Sequence, residues 1–322
     1  MSQHFHLNTP LLESVSMSKR VGTTVYLKME NCQPSGSFKI RGIGHLCQQL
    51  AGQSRGIVCS SGGNAGMAAA YVARRMGLPA TVVVPSSTPQ LVVQRLQDQG
   101  AAVRIVGKVW DDANAEALRL AETEGLTLVP PFDHPLLWQG HASLVAEAAA
   151  ALGPDRKPGA ILLSVGGGGL LCGVVHGLRD VGWMDVPIIA METVGADCFN
   201  AAIKAGKVVT LEDITSEAKC LGAKTVCQAA FDFSQSGELN IISELVSDQE
   251  ALKAVCTFLD EERVLVEMAC GAALAAVYNG LIARLQKQGG LPTPLGPLLV
   301  VVCGGSGINM EQLDSLRQKL LS

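Results

Sequence analysis

The residue with the strongest claim to chemistry is Lys39, in the run Pro34-Ser35-Gly36-Ser37-Phe38-Lys39-Ile40-Arg41-Gly42. It stands just inside the expected start of a helix, behind a Pro-Ser-Gly-Ser turn. The helix macrodipole opposes a cation there by a few tenths to ~1 kcal/mol. The ordinary explanation is a solvated lysine whose stem covers apolar surface. The flanks, however, are small and apolar, and Gly36, Gly42 and Gly44 leave room for a bulky group. A lysine desolvated in such a place loses its proton readily and becomes an amine nucleophile able to form a Schiff base.

Three glycine-rich loops follow expected strands, and ligands of open parallel sheets collect at the carboxyl ends of strands. In Ser60-Ser61-Gly62-Gly63-Asn64-Ala65-Gly66, hydroxyls, the Asn64 amide and backbone N–H groups suit a carboxylate at a helix N-terminus. Taken alone, the segment reads more simply as a strand-to-helix turn with a Ser or Asn cap. Gly166, Gly167, Gly168 and Gly169 let the backbone fold into a nest of N–H donors for a phosphate, and four in a row exceed what close packing requires. The segment is neither a Walker A loop nor a G-x-G-x-x-G fingerprint. In Cys303-Gly304-Gly305-Ser306-Gly307, Cys303 offers a short neutral side chain to the same crevice, or serves as a small core residue.

Bulk properties narrow the field. With 322 residues, 48% hydrophobic and only 4% aromatic, and 35 glycines, the chain suits close-packed helices over parallel sheets. A net charge of −4 gives no basic stripe for nucleic acid. No apolar run approaches the ~20 residues that span a bilayer, and no signal peptide is expected at the N-terminus. The 10 cysteines form no C-x-x-C pair, so reduced thiols in a cytoplasmic protein are expected rather than zinc sites or disulfides.

The elements that must position these residues alternate regularly. An extended entry over residues 1–33 ends in a strand at Thr24 to Lys28, and a helix runs from the lysine turn to about Leu50. Strands are expected at Gly56 to Ser60, Ala80 to Val84, Ala102 to Val106 and Thr127 to Val129. Helices over Asn64 to Met76, Pro89 to Gln99 and Trp110 to Thr123 separate them. Pro130 to Pro135 reads as a linker, followed by a helix from His141 to Leu152. Beyond it come a strand at Ala160 to Val165, a helix from Leu170 and a strand at Val186 to Met191. Helices near 247–260 and 271–288, a strand at Leu298 to Val302 and a helix from Asn309 complete the pattern. Residues 195–245 are the least legible.

As an ordered set, PSGSFKIRGIGH, CSSGGNAGMAAAY, PPFDHPLLWQGHAS, LLSVGGGGLLCGVV, VPIIAMET, LVEMACGAALAAVY and VVVCGGSGIN span nearly the whole chain. The set resembles the L-serine dehydratase family, including its serine dehydratase-like members, among the fold-type-II pyridoxal-phosphate (PLP) enzymes. The resemblance implies an α/β protein similar to the tryptophan synthase β fold. Two open twisted parallel-sheet domains would hold the cofactor in their cleft, 1–40 with 134–322 forming the large one and 41–133 the small one. Lys39 would hold PLP as a Schiff base, Phe38 would pack beside its ring, and Gly166 to Gly169 would cradle its phosphate. Asn64 would bond the phenolic oxygen and Cys303 would face the pyridine nitrogen. Ser60, Ser61, Gly62, Gly63 and Asn64 would hold the substrate carboxylate. A potassium site would draw on Gly166, Glu192, Ala196, Leu221 and Ala223.

The implied reaction is β-elimination of L-serine to pyruvate and of L-threonine to 2-oxobutanoate, with ammonia, in a homodimer. An amino acid is then the partner, with neither nucleic acid nor membrane. Two departures stand out. Gly62 occupies the position where the related serine racemases carry a serine base, which predicts little racemisation. Met268 stands where relatives carry proline. The alternatives are a weakly active dehydratase-like protein acting mainly by binding, or another PLP reaction of the serine racemase or cysteine synthase type.

Overall fold

The computed structural model describes residues 4–51 and 54–321. The chain enters through β1 (Leu11–Glu13), α1 (Val15–Val21) and β2 (Val25–Met29), then turns into α2 (Lys39–Leu50). Next come β3 (Ile57–Cys59), α3 (Asn64–Met76), β4 (Ala80–Val84), α4 (Gln90–Asp98), β5 (Ala102–Ile105), α5 (Trp110–Glu124) and β6 (Thr127–Leu128). The crossing helix α6 (Pro135–Leu152) leads to β7 (Ala160–Ser164), α7 (Gly169–Asp180), β8 (Ile188–Thr193), α8 (Cys198–Ala205) and α9 (Gln228–Gln235). The chain finishes with β9 (Ile241–Val246), α10 (Asp248–Glu262), α11 (Met268–Tyr278), α12 (Leu281–Lys287), β10 (Leu298–Val302) and α13 (Met310–Leu320).

The strands form two sheets. The larger has the order β1-β2-β10-β7-β8-β9 and is parallel except for the β1–β2 pair. The smaller, β5-β4-β3-β6, is parallel throughout. Helices pack on the large sheet, and β7, β8 and β10 are buried along their whole length; β7 and β10 read as near-continuous apolar runs, while β8 ends in the buried Glu192 and Thr193. Against them lies α11, buried from Met268 to Val277. Met268 therefore packs as an ordinary core residue at the start of a helix.

The structure corrects three expectations and assigns one stretch that the sequence leaves open. The entry segment is not simply extended: it contains β1 and α1, the latter capped by Ser14, whose hydroxyl accepts from the Met17 amide at 3.1 Å. Elements this short carry too few residues to show a period. The proline run is not only a linker, since Pro135 is the first residue of α6 and the His134 ring accepts from the Leu136 amide at 3.1 Å. Proline is favoured at that position because its missing N–H is not needed there. Within the poorly legible stretch, Ile241–Val246 is an edge strand paired with β8. Finally, 271–288 is two helices, broken at Gly280, whose φ of 80° is left-handed. Among the described residues no single helix is long and apolar enough to cross a membrane.

Candidate active site

In the large sheet the chain leaves β7 in one direction toward β8 and β9, while β10 and β2 lie on the other side. A parallel sheet opens a crevice at such a reversal. The loops after β2, β10 and β7 end there side by side, because Met29 is level with Val302 and Val300 with Leu162. The lysine turn is stitched to the loop after β10. Gly305 donates to the Gly36 carbonyl at 2.8 Å, Ser37 bridges to Gly304, and Phe38 donates to the Cys303 carbonyl at 3.4 Å. Gly304 has a φ of 88°, and a Cβ there would strike the Gly36 carbonyl.

Lys39 is the first residue of α2, and its amine donates to the Pro131 carbonyl. Burial strips water from the amine and lowers its pKa from 10.5 to about 8, an effect partly offset by the thiols of Cys220, Cys59 and Cys303. The surface of the side chain as a whole is only half-buried, since its stem lines the cleft. Phe38 places its ring 5.4 Å from the amine and packs edge-on against His141, with ring centres 5.0 Å apart.

Two residues along the helix, Arg41 is completely buried and fixes α2 in place. Its guanidinium donates to Glu30 at 2.7 and 2.8 Å and to Glu147 at 2.8 and 2.6 Å. Lys28 donates to the same Glu147 at 2.6 Å. Two cations and two carboxylates thus balance, tying β2, α2 and α6 together. The fork geometry of arginine suits this bidentate arrangement.

Gly166 to Gly169 leave β7 and open α7, with Gly168 at a φ of 93°. The amides of Gly166, Gly167 and Gly168 have no acceptor among the described residues. The carbonyls of Gly167 and Gly168 are used instead: Cys227 donates to the first at 3.0 Å and Cys172 to the second at 2.9 Å. A Cβ at Gly167 would enter the Phe132 ring, and one at Gly168 would lie 2.7 Å from the Ala230 Cβ.

From the small sheet, the loop after β3 reaches the same cleft. Gly63 caps α3 and Asn64 is its first residue, so no Ser or Asn side chain is spent on the cap. The Ser61 hydroxyl accepts from the Gly63 amide at 3.3 Å, and the Ser60 hydroxyl is bonded to Asn114 at 2.8 Å. The Asn64 oxygen accepts from the Ser306 amide at 2.9 Å and faces its hydroxyl at 3.2 Å. The Asn64 nitrogen donates to Glu267 at 3.0 Å. Glu267 also accepts from the Gly307 amide at 2.5 Å. From α4, Arg95 donates to the Ser306 carbonyl. The Cys303 thiol is held protonated, because the neighbouring Cys270 thiol and burial raise its pKa well above the ordinary value.

The residues expected to hold a cation lie behind the nest. A Cβ on Gly166 would be 3.1 Å from the Leu221 Cα and 3.3 Å from its carbonyl oxygen. The Ala223 amide donates to the Leu221 carbonyl at 2.7 Å, and that of Ala196 to Thr193 at 2.9 Å. Glu192 is buried in β8, and its two oxygens accept from the Phe199 and Asn200 amides at 2.9 and 2.8 Å. Burial raises its pKa to about 8.

Pro131, Phe132, His141, Cys220, Glu267 and Ser306 entered the site without being singled out from the sequence. Carbonyl donors leave no trace in residue type. Glu267 and Ser306, however, lie inside two of the motifs already recognised.

A desolvated amine and a row of amides without acceptors form a donor set that fits a phosphorylated aldehyde. The description of the pyridoxal-phosphate dependent enzymes matches residues 3–304. The chain belongs to the pyridoxal-phosphate-dependent enzyme family. Within this PLP family, it is 60% identical over 317 residues to the human protein "serine dehydratase-like", covering 98% of this chain and 95% of that one. It is 57% identical over 317 residues to human "L-serine dehydratase/L-threonine deaminase", with the same coverage. The crystal structure of a fungal L-serine ammonia-lyase from Rhizomucor miehei superimposes with a TM-score of 0.90 at 39% identity, covering 99% of this chain and 100% of that one. The two parallel-sheet units are thus those of a fold-type-II PLP enzyme.

Proposed function

We infer that this chain is a PLP-dependent ammonia-lyase that dehydrates and deaminates L-serine to pyruvate, and L-threonine to 2-oxobutanoate. The observation that carries the reading is the pairing of a desolvated Lys39 amine with the acceptor-free amides of Gly166 to Gly168 at one sheet reversal. Relatives that share 57–60% of the sequence bear serine dehydratase names, which supports the substrate class.

When bound, the cofactor supplies an electron sink for the charge left at Cα once its proton is gone. Lys39 would hold the cofactor covalently and, released by the substrate amine, take the Cα proton. An amine pulled to about 8 is in its basic form for part of the population at neutral pH, unlike a lysine at ~10.4. Gly166 to Gly169 and the N-terminus of α7 would fix the phosphate through oriented N–H groups. Phe38, braced by His141, would support the ring, and Asn64 would donate to the phenolic oxygen. Cys303, held as a neutral thiol, would place no negative charge beside the ring nitrogen. Glu267, the carboxylate that bears on Cys303, has both oxygens bonded to N–H donors. Ser60, Ser61, Gly62 and Gly63 would receive the substrate carboxylate, largely through backbone amides, since the Ser60 hydroxyl is committed to Asn114.

We also propose a monovalent cation, potassium, held by carbonyls of Gly166, Ala196, Leu221 and Ala223 with Glu192. A cation would compensate a carboxylate that burial otherwise disfavours. The proposed division places 41–133 as a unit closing over the substrate, in a cytoplasmic homodimer. The test is to incubate protein with PLP and either amino acid, with and without sulfide, and measure keto acid, cysteine and D-serine. Keto acid as the main product is expected; its absence with both substrates refutes the reading.

A further inference from the structure

Glu267 is a buried carboxylate, 6% exposed, at the residue preceding α11, and the reaction as described gives it no task. Its two oxygens point to different partners: one accepts from the Gly307 amide and the other from the Asn64 side-chain nitrogen. The opposite end of the Asn64 amide is also taken, since its oxygen faces both the Ser306 amide and the Ser306 hydroxyl. An asparagine amide has one acceptor atom and two N–H donors. Here the acceptor is saturated and one donor is spent on Glu267. The other N–H donates only to the Cys220 sulfur at 3.6 Å, a weaker acceptor than an oxygen. Asn64 can therefore present a donor to the cleft and nothing else.

We propose that Glu267 is a positioning residue for Asn64, fixing its amide so that only an N–H is offered to an electron-rich oxygen of the bound cofactor. The inference rests on the reading that Asn64 serves the cofactor's phenolic oxygen. A flipped amide would set its oxygen against the Glu267 carboxylate and its nitrogen against the Ser306 amide, two repulsive contacts in a buried place. Glu267 also reaches from the large-sheet unit to the first residue of α3, so it fixes Asn64 only when the units are together. Gly305 shows how tightly the carboxylate is seated, since a Cβ there would strike it.

The test compares wild type, E267Q, N64A and the double variant E267Q/N64A. Readouts are the cofactor dissociation constant, the absorbance maximum of bound cofactor across pH, and cofactor-free thermal melting. In E267Q the new amide sets an NH2 against one of two donors. We expect E267Q and N64A each to weaken cofactor binding about tenfold. Both should shift the absorbance–pH profile in the same direction, and the double variant should match N64A alone. Independent, multiplying losses in the double variant overturn the inference while leaving the role of Asn64 intact. Wild-type affinity and spectrum in N64A overturn both. Should E267Q lose cooperative melting, Glu267→Asp, which keeps the charge but retracts it from Asn64, carries the same comparison with the same outcomes.

Discussion

The amine of Lys39 donates to the carbonyl of Pro131, joining the first residue of α2 to the crossing that leads into α6. The pKa of this amine is lowered to about 8, against 10.5 in the unfolded chain. Below pH 8 the proton is held in both states and the burial penalty is paid in full. Between about 8 and 10.5 the folded protein releases it first, so the unloaded protein gains stability as pH rises through that window. The rate of PLP capture by unloaded protein should rise through the same pH near 8, read by absorbance after mixing. Lys39→Ala should fold, take up no PLP covalently and form no keto acid. A capture rate that keeps climbing past pH 8 toward the ordinary lysine value of 10.5 would show the amine is not desolvated.

The nest leaves no room for side chains. Gly167→Ala drives a methyl into the Phe132 ring, and Gly168→Ala adds a contact to Ala230 on a left-handed backbone. Each should destabilise the fold by about 1–3 kcal/mol, the usual range for overpacking. Each should also weaken cofactor binding beyond detection at micromolar PLP. Urea unfolding and equilibrium titration separate the two effects.

Arg41 stands between two carboxylates with no exposed surface. Removing it by Arg41→Met leaves Glu30 without its cation in the interior. We expect a loss of about 3–5 kcal/mol, the range for breaking a buried pair. Arg41→Lys should recover only part of it, because a point charge cannot serve two carboxylates in fixed planes. A loss under 1 kcal/mol for Arg41→Met by urea unfolding would refute the idea that this network seats α2.

Potassium chloride should raise the melting temperature and tighten PLP binding relative to tetramethylammonium chloride at equal ionic strength. Glu192→Gln, which removes the buried charge, should abolish the difference. Equal responses to the two salts in wild type would argue against a cation behind Gly166.

Gly62 lacks a side chain that could carry a proton on the second face of Cα. Chiral chromatography should find D-serine formed from L-serine far more slowly than pyruvate. Gly62→Ser would bring a Cβ within 3.1 Å of a Val84 methyl, a contact that a small side-chain shift relieves. This variant should fold and is the one in which D-serine formation should rise. Comparable rates of D-serine and pyruvate in the unaltered protein would refute the argument.

Sequence reading succeeded where side-chain type or periodicity carries the information. The β3–α5 alternation, the apolar runs of β7 and β10 and the position of Lys39 at a helix start all fall in this class. It was weaker where geometry depends on main chain or on tertiary pairing. Ile241–Val246 is only half-buried and sits at a sheet edge, so neither alternation nor a continuous apolar run marks it. Leu11–Glu13 is three residues held by pairing with β2. Pro131 contributes a carbonyl, which every residue has. Glu267 was visible as a letter within LVEMACGAAL, but its significance comes from Asn64 and Gly307, distant in sequence and adjacent only after the units close.

The stitching of Gly36 and Phe38 to Cys303 and Gly305 has a consequence for biosynthesis. The reactive lysine is synthesised more than two hundred residues before the loop that seats it. Contacts this far apart in sequence close late, since the intervening loop must lose its freedom first. Until then Lys39 is an ordinary solvated amine, mostly protonated at neutral pH. The lowered amine pKa is reached only once Gly305 has been made and folded back onto the lysine turn.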